Sequence, residues 1–315
     1  MTRKTQYTIL LLLIIGLGFF LWRDKANHVQ YQLPSLDQVP PSSISQISLT
    51  QGDNTLVVRK NEGKWTIQPR GYPASQKQVE RILQALSDLQ LTALVSESKH
   101  YERYDLNGKQ AIEVTARDQD TVLRRFFVGK AASNYQSTYV RLPDDPNVYL
   151  ANSNLRSALD VDVNSLQDKT VLSFAPDHIQ GMKIQTTNGT AHFTLQTSPQ
   201  NGNEKQWVAD QKNLDANATL INKLTANLSG LKCAKYIEDK EKGDFDSPKI
   251  RISLHGENDH ELQLFAQEGV ETEELAGISS DNPFPFRLSA YNSKQITERA
   301  AKLIAQNRRS QNNNE

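Results

Sequence analysis

The stretch His255-Gly256-Glu257-Asn258-Asp259-His260-Glu261 sets two imidazoles and three carboxylates within seven residues, donor types from which a zinc site could draw two His and a Glu. Its flanks assign it another role. Ile250-Arg251-Ile252-Ser253-Leu254 before it and Leu262-Gln263-Leu264-Phe265 after it alternate, so the polar stretch reads as the tip of a β-hairpin, polar for solvation alone. Cys233 is the single cysteine, and alternation along Leu231-Lys232-Cys233-Ala234-Lys235-Tyr236 turns it inward with Leu231. A nucleophilic thiol needs a base and an electropositive setting that this segment does not display. The carboxylates Glu238, Asp239, Glu241, Asp244 and Asp246 alternate with Lys240 and Lys242 rather than following calcium-loop spacing, and read as a solvated connection. No nucleophile elbow, phosphate-binding loop or dinucleotide glycine fingerprint occurs. The expectation is therefore no catalytic, cofactor-binding or metal-ligating residue and no cofactor.

The elements that must carry these residues follow a recurring pattern. In the first half, strands are expected at Ile44–Leu49, Thr55–Arg59 and Gly63–Ile67, then a helix capped by Ser75 with Gln78, whose apolar face is Val79, Ile82, Leu83, Leu86 and Leu89. Strands follow near Thr92–Ser96, Ala111–Ala116, Val122–Val128, Thr138–Leu142 and Val148–Ala151, and a short helix near Asn154–Leu159. The second half has strands near His178–Thr186, Ala191–Thr197 and Lys205–Val208, and a helix capped by Asp215 that carries Leu220, Ile221, Leu224, Leu228 and Leu231. Later strands are expected near Lys232–Ile237, Lys249–Leu254, Glu261–Ala266 and Phe286–Ala290, and a terminal helix at Ser293–Ala305.

Matched features keep a nearly constant offset, which points to a duplication: Trp65 to Trp207 is 142 residues, Asp105 to Asp244 is 139, and Phe127 to Phe265 is 138. Hairpin-sized gaps between strands require antiparallel pairing, because parallel neighbours need long crossovers. Trp65 and Trp207, each closing a strand before a helix, read as core pieces beneath that helix.

The chain also resembles a family of membrane-anchored bacterial proteins, the domain-of-unknown-function 4340 family. The resemblance rests on Gly63-Lys64-Trp65, Tyr104-Asp105-Leu106, Phe126-Phe127-Val128-Gly129-Lys130, Thr138-Tyr139-Val140-Arg141 and Asn147-Val148-Tyr149. It covers most of residues 44–160 and, more faintly, 178–305, and it marks Tyr104, Tyr139 and Tyr149 beside the two tryptophans. Asp105 stands where the family usually has a glycine. The resemblance implies an accessory envelope protein, grouped with auxiliary components of ABC-type export or gliding systems, rather than an enzyme.

Tyr7–Trp22 is the one unbroken apolar run, flanked by Arg3 and Lys4 before it and Arg23 and Lys25 after it. As a helix it spans about 24 Å, short of a hydrocarbon core of about 30 Å, a gap that flanking Thr5 and Gln6 and snorkelling basic chains can close. No small-x-small cleavage site follows it, which favours an uncleaved signal anchor, and the positive-inside rule places the body in a periplasm. The expected fold class is α+β: an N-terminal single transmembrane helix followed by two repeated antiparallel-sheet-plus-helix modules. The expected divisions are 1–6 as a cytoplasmic N-terminus, 7–22 as the anchor, 23–43 as a linker, 44–166 and 167–306 as the modules and 307–315 as a disordered tail. With 36 basic and 36 acidic residues, charge gives no case for nucleic acid. The functional expectation is a periplasmic accessory or binding protein, held at the inner membrane by its N-terminal helix and working with a membrane-protein partner. The alternatives are a bitopic scaffold of a secretion or pilus machine, and an envelope hydrolase with a site between the modules.

Overall fold

The structure is a computed structural model that describes residues 14–16, 32–197, 205–210, 216–266 and 273–312. Alternation of apolar and polar side chains dominates the described chain, and it builds two antiparallel sheets. The first contains β1 (Gln46–Gln51), β2 (Asn54–Asn61), β3 (Lys64–Gln68), β4 (Tyr72–Pro73), β5 (Leu91–Ser96), β6 (Ile112–Asp118), β7 (Thr121–Ala131), β8 (Thr138–Arg141) and β9 (Val148–Ala151). Its nine strands lie in the order β4-β3-β2-β1-β6-β7-β8-β9-β5.

The second contains β10 (Ile179–Thr186), β11 (Gly189–Thr197), β12 (Lys205–Ala209), β13 (Lys235–Tyr236), β14 (Ile250–Gly256), β15 (His260–Phe265), β16 (Ala276–Ser279) and β17 (Phe286–Arg287). Its eight strands lie in the order β12-β11-β10-β14-β15-β16-β17-β13. With β4 set aside, the two orders correspond strand for strand, so β3 matches β12, β7 matches β15 and β5 matches β13.

Helices are few. Besides single turns, they are α1 (Gln76–Ser87), α2 (Ala218–Leu228) and α3 (Ala290–Asn312). Helical spacing gives each a buried stripe: Val79, Ile82, Leu83 and Leu86 on α1, Ile221, Leu224 and Leu228 on α2, and Ile296, Ala300, Leu303 and Ile304 on α3. The Ser75 carbonyl accepts the amides of Gln78 and Val79 at the start of α1. Asn217 caps α2, its side chain accepting the Leu220 amide; Asp215, the expected cap, lies outside the described residues. α3 continues to Asn312, into the stretch expected as a tail.

By internal packing the chain divides into two compact units, one of residues 1–57 and 80–160 and the other of residues 58–79 and 161–315. In the first, Ile47 and Leu49 of β1, Ile112, Val114 and Ala116 of β6, Phe126 and Val128 of β7 and Val140 of β8 supply the apolar face. In the second, Met182, Ile184, Ile252, Leu254, Leu262, Leu264 and Phe286 do so. Burying each large aliphatic or aromatic side chain of this kind is worth about 1.5–3 kcal/mol.

The expected fold class needs correction on two counts. The architecture is mostly antiparallel sheet with few helices rather than α+β, because alternation extends through nearly every described segment and local hairpins join it into wide sheets. The second correction concerns the transmembrane helix expected over Tyr7–Trp22, most of which lies outside the described residues. Only residues 14–16 of that run are described, and among the described residues no helix is long and apolar enough to cross a membrane. The membrane and signal-anchor assignments that depended on this helix are corrected with it.

Candidate functional site

The imidazoles of the β14–β15 hairpin, and His178 beside it in the 3-10 turn before β10, do not converge. His255 Nδ1 lies 3.1 Å from Asp259 Oδ1, His178 Nδ1 lies 3.0 Å from Glu257 Oε2, and His260 Nδ1 lies 2.9 Å from Asp281 Oδ1. Each ring is spent on its own carboxylate, and among the described residues no three His, Cys, Asp or Glu side chains form a metal-binding group. The first two pairs are largely exposed and contribute little.

The third is the better shielded pair, with Phe174 packed on His260 at 4.9 Å between centroids. Asp281 also accepts the Ser173 amide at 3.0 Å and the Ser280 hydroxyl at 2.6 Å. Burial alone would raise its carboxyl, but the hydrogen bonds from Ser280, His260 and Ser173 outweigh that and hold it below the usual carboxylate range. Ser280 donates to the carboxylate rather than to the imidazole. The arrangement therefore braces the Ser173–Phe174 segment and does not activate a hydroxyl as a nucleophile.

Cys233 is 5% exposed, and burial pushes its thiol up to about 11, an effect that neighbouring Lys169 only partly offsets. At neutral pH it is a protonated thiol with little nucleophilic character. Of the five carboxylates singled out, Glu241 and Asp244 cap a 3-10 turn, with the Glu241 amide on Asp244 Oδ2 at 2.8 Å. Glu238 and Asp239 line a cleft of about 390 Å³ together with Lys235, Tyr236 and Arg287.

The tryptophans occupy equivalent strands. Trp65 on β3 is 4% exposed and Trp207 on β12 is 7% exposed. The Trp207 indole donates to Asn222 Oδ1 on α2 at 2.9 Å, which pins that ring beneath the helix.

The tyrosines lead to a grouping of aromatic and basic side chains able to recognise a ligand. After β5 the chain makes a 3-10 turn, Tyr101–Tyr104, that closes on Asp105 in the left-handed region (φ 54°, ψ 34°). This strap lies on β7 and β8: Tyr104 packs on Tyr139 at 4.8 Å between centroids, and the turn passes directly over Gly129. Tyr101 donates its hydroxyl to the Pro146 carbonyl at 2.9 Å. On the same face, the Phe127–Arg141 pair of the β7–β8 ladder brings Arg141 Cζ to 4.0 Å from the Phe127 ring and 5.1 Å from the Tyr101 ring. Tyr149 is 3% exposed and donates to Asp145 Oδ2 at 2.6 Å; burial and then the carboxylate raise its phenol.

Of the sequence-marked residues, the structure thus brings Tyr104 and Tyr139 together at the strap, places Tyr149 in a separate turn network, and keeps Trp65 and Trp207 in the core. Tyr101 and Phe127 were not singled out as site residues, nor was Arg141. The available signals were the three-residue spacing of Tyr101 and Tyr104 and the two-residue spacing of Tyr139 and Arg141, which put each pair on one face.

Fold and site together define an antiparallel two-sheet protein whose first sheet carries a strapped aromatic–arginine cluster. The chain belongs to the family called Domain of unknown function (DUF4340), whose model matches residues 65–248, more than half of its length. Neither a curated protein nor a solved structure matches it.

Proposed function

We propose that the protein acts by binding rather than catalysis: a periplasmic accessory to an ABC-type transport or envelope-assembly complex that captures a membrane-protein partner by strand addition at β5. One observation supports this reading above the others. β5 ends the nine-stranded sheet, pairs with β9 on one side and leaves its other edge without a described strand. Leu94 and Val95 on it are half-buried rather than covered.

An extended segment can add to such an edge through main-chain hydrogen bonds, with alternate side chains supplying specificity. Register irregularities between Leu91 and Ala93 and between Leu94 and Ser96 interrupt the ladder, which restrains indiscriminate edge-to-edge pairing. The envelope setting comes from the family resemblance, not from the edge.

The test is a photo-crosslinking residue at Val95 in intact cells, with the same probe at exposed Lys60 on β2 as control. The expected result is one discrete membrane-protein adduct from Val95, none from Lys60, and loss of the adduct when Leu94→Lys places a charge on the edge. Equal adducts from both sites, or recovery of the protein from the cytoplasmic fraction alone, would overturn the proposal.

A further inference from the structure

Arg141 carries a partly buried charge without a carboxylate opposite it. No ion pair among the described residues includes it. Its Nη1 reaches the Leu142 carbonyl only at 3.4 Å, and Nε, shielded from solvent, has no hydrogen-bond partner. Phe127 at 4.0 Å and Tyr101 at 5.1 Å offset part of the desolvation through their ring faces. Ring faces leave unused the N–H groups, which lie in the guanidinium plane.

Two internal comparisons show that the fold does not require this arrangement. Arg124, buried on β7, donates to the carbonyls of Leu86 and Asp37, so its donors are matched within the protein. In the second sheet, Phe265 on β15, the strand that matches β7, packs directly on Phe245, just after the 3-10 turn Lys242–Asp244, at 5.1 Å between centroids. There Ala276 pairs with Phe265 where Arg141 pairs with Phe127, and the cation near the rings is an ammonium, Lys240 Nζ at 5.4 Å from the Phe245 ring.

We propose that Arg141, walled by Tyr101 and Phe127, is a binding site for an oxyanion, the carboxylate or phosphate group of a ligand. The planar fork matches two oxygens of either group, and ring packing holds the fork in one orientation before the ligand arrives. This site does not depend on strand addition at β5; either can fail without the other.

The test follows the Arg141 Nε–Hε resonance of the nitrogen-15-labelled full chain during titration with inorganic phosphate, with acetate, and with chloride at matched ionic strength. The expected result is a saturable shift with half-saturation in the millimolar range for phosphate or acetate and a featureless drift with chloride. The oxyanion that saturates at the lower concentration identifies the ligand group. Arg141→Lys, read from neighbouring amide resonances, weakens binding about tenfold, because an ammonium keeps the charge but loses the fork. Absence of saturation with both oxyanions in the unsubstituted chain overturns the proposal whatever the variants do, and so does undiminished binding by Arg141→Lys.

Discussion

The β-carbon that Gly129 lacks would sit 2.1 Å from the carbonyl oxygen of Tyr104. The strap between β5 and β6 therefore rests on bare backbone of β7, and Leu106, with Cγ 2.9 Å from the same point, closes over it. The glycine that ends the Phe126-Phe127-Val128 strand motif and the Tyr-Asp-Leu turn are two halves of one contact.

Gly129→Ala cannot be absorbed by rotating a side chain, since the obstructing atom is backbone. It is expected to lift the strap and to destabilise the fold by about 2–3 kcal/mol, the usual range for overpacking a close contact. Urea unfolding measures this. A loss well under about 1 kcal/mol would mean that the strap is not seated as described.

Asp105 occupies the left-handed region at the end of that strap, with φ 54°. Aspartate tolerates this conformation better than most residues, and glycine tolerates it best. Asp105→Gly is expected to leave thermal stability unchanged or slightly raised, whereas Asp105→Val lowers it by about 1–2 kcal/mol. Paired melting curves decide the matter: a Val variant as stable as the Gly variant would contradict the turn geometry.

Trp207, itself buried, and Asn222, on the exposed side of α2, join β12 to α2 through one hydrogen bond. Asn222→Leu takes the acceptor from the indole N–H and is expected to cost about 1 kcal/mol. Combining it with Trp207→Phe removes the donor as well, so the double variant should lose less than the sum of the single losses. A double-mutant cycle reads this coupling, and strict additivity would deny it.

Asp281 ties β16 to Ser173 and His260, and its folded carboxyl lies below the ordinary 3.8. A depressed carboxyl contributes stability that is complete above the unfolded value and is lost as pH falls through the folded one. Asp281→Asn is thus expected to lower stability at neutral pH and to flatten the loss below about pH 4. Denaturation midpoints across acid pH test this; parallel curves for the two proteins would remove Asp281 from the acid response.

Much of the local structure was legible in the sequence. The β14–β15 hairpin was readable because Ile250, Ile252 and Leu254 alternate toward Leu262 and Leu264, and the α1 face because Val79, Ile82 and Leu86 recur at helical spacing. β16 was not readable: Ala276-Gly277-Ile278-Ser279 has little strand propensity and is a strand because Phe265 and Arg287 offer edges on either side of Ala276. β4 escaped notice for a similar reason, since Tyr72-Pro73 is two residues long and pairs with Thr66 and Ile67 only where the chain turns back. The site was less legible still, because Arg141, Phe127 and Tyr101 come from three separate segments.

Alternation and helical spacing are properties of consecutive residues, so the sequence alone determined where most strands and helices lie and that pairing would be antiparallel. Tertiary structure alone decided that β5 returns beside β9 to end its sheet, that Asp105 turns left-handed over Gly129, and that Arg141 meets two rings without a counter-charge. Those outcomes depend on which distant backbones approach within a few ångströms, and no periodicity along the chain encodes that distance.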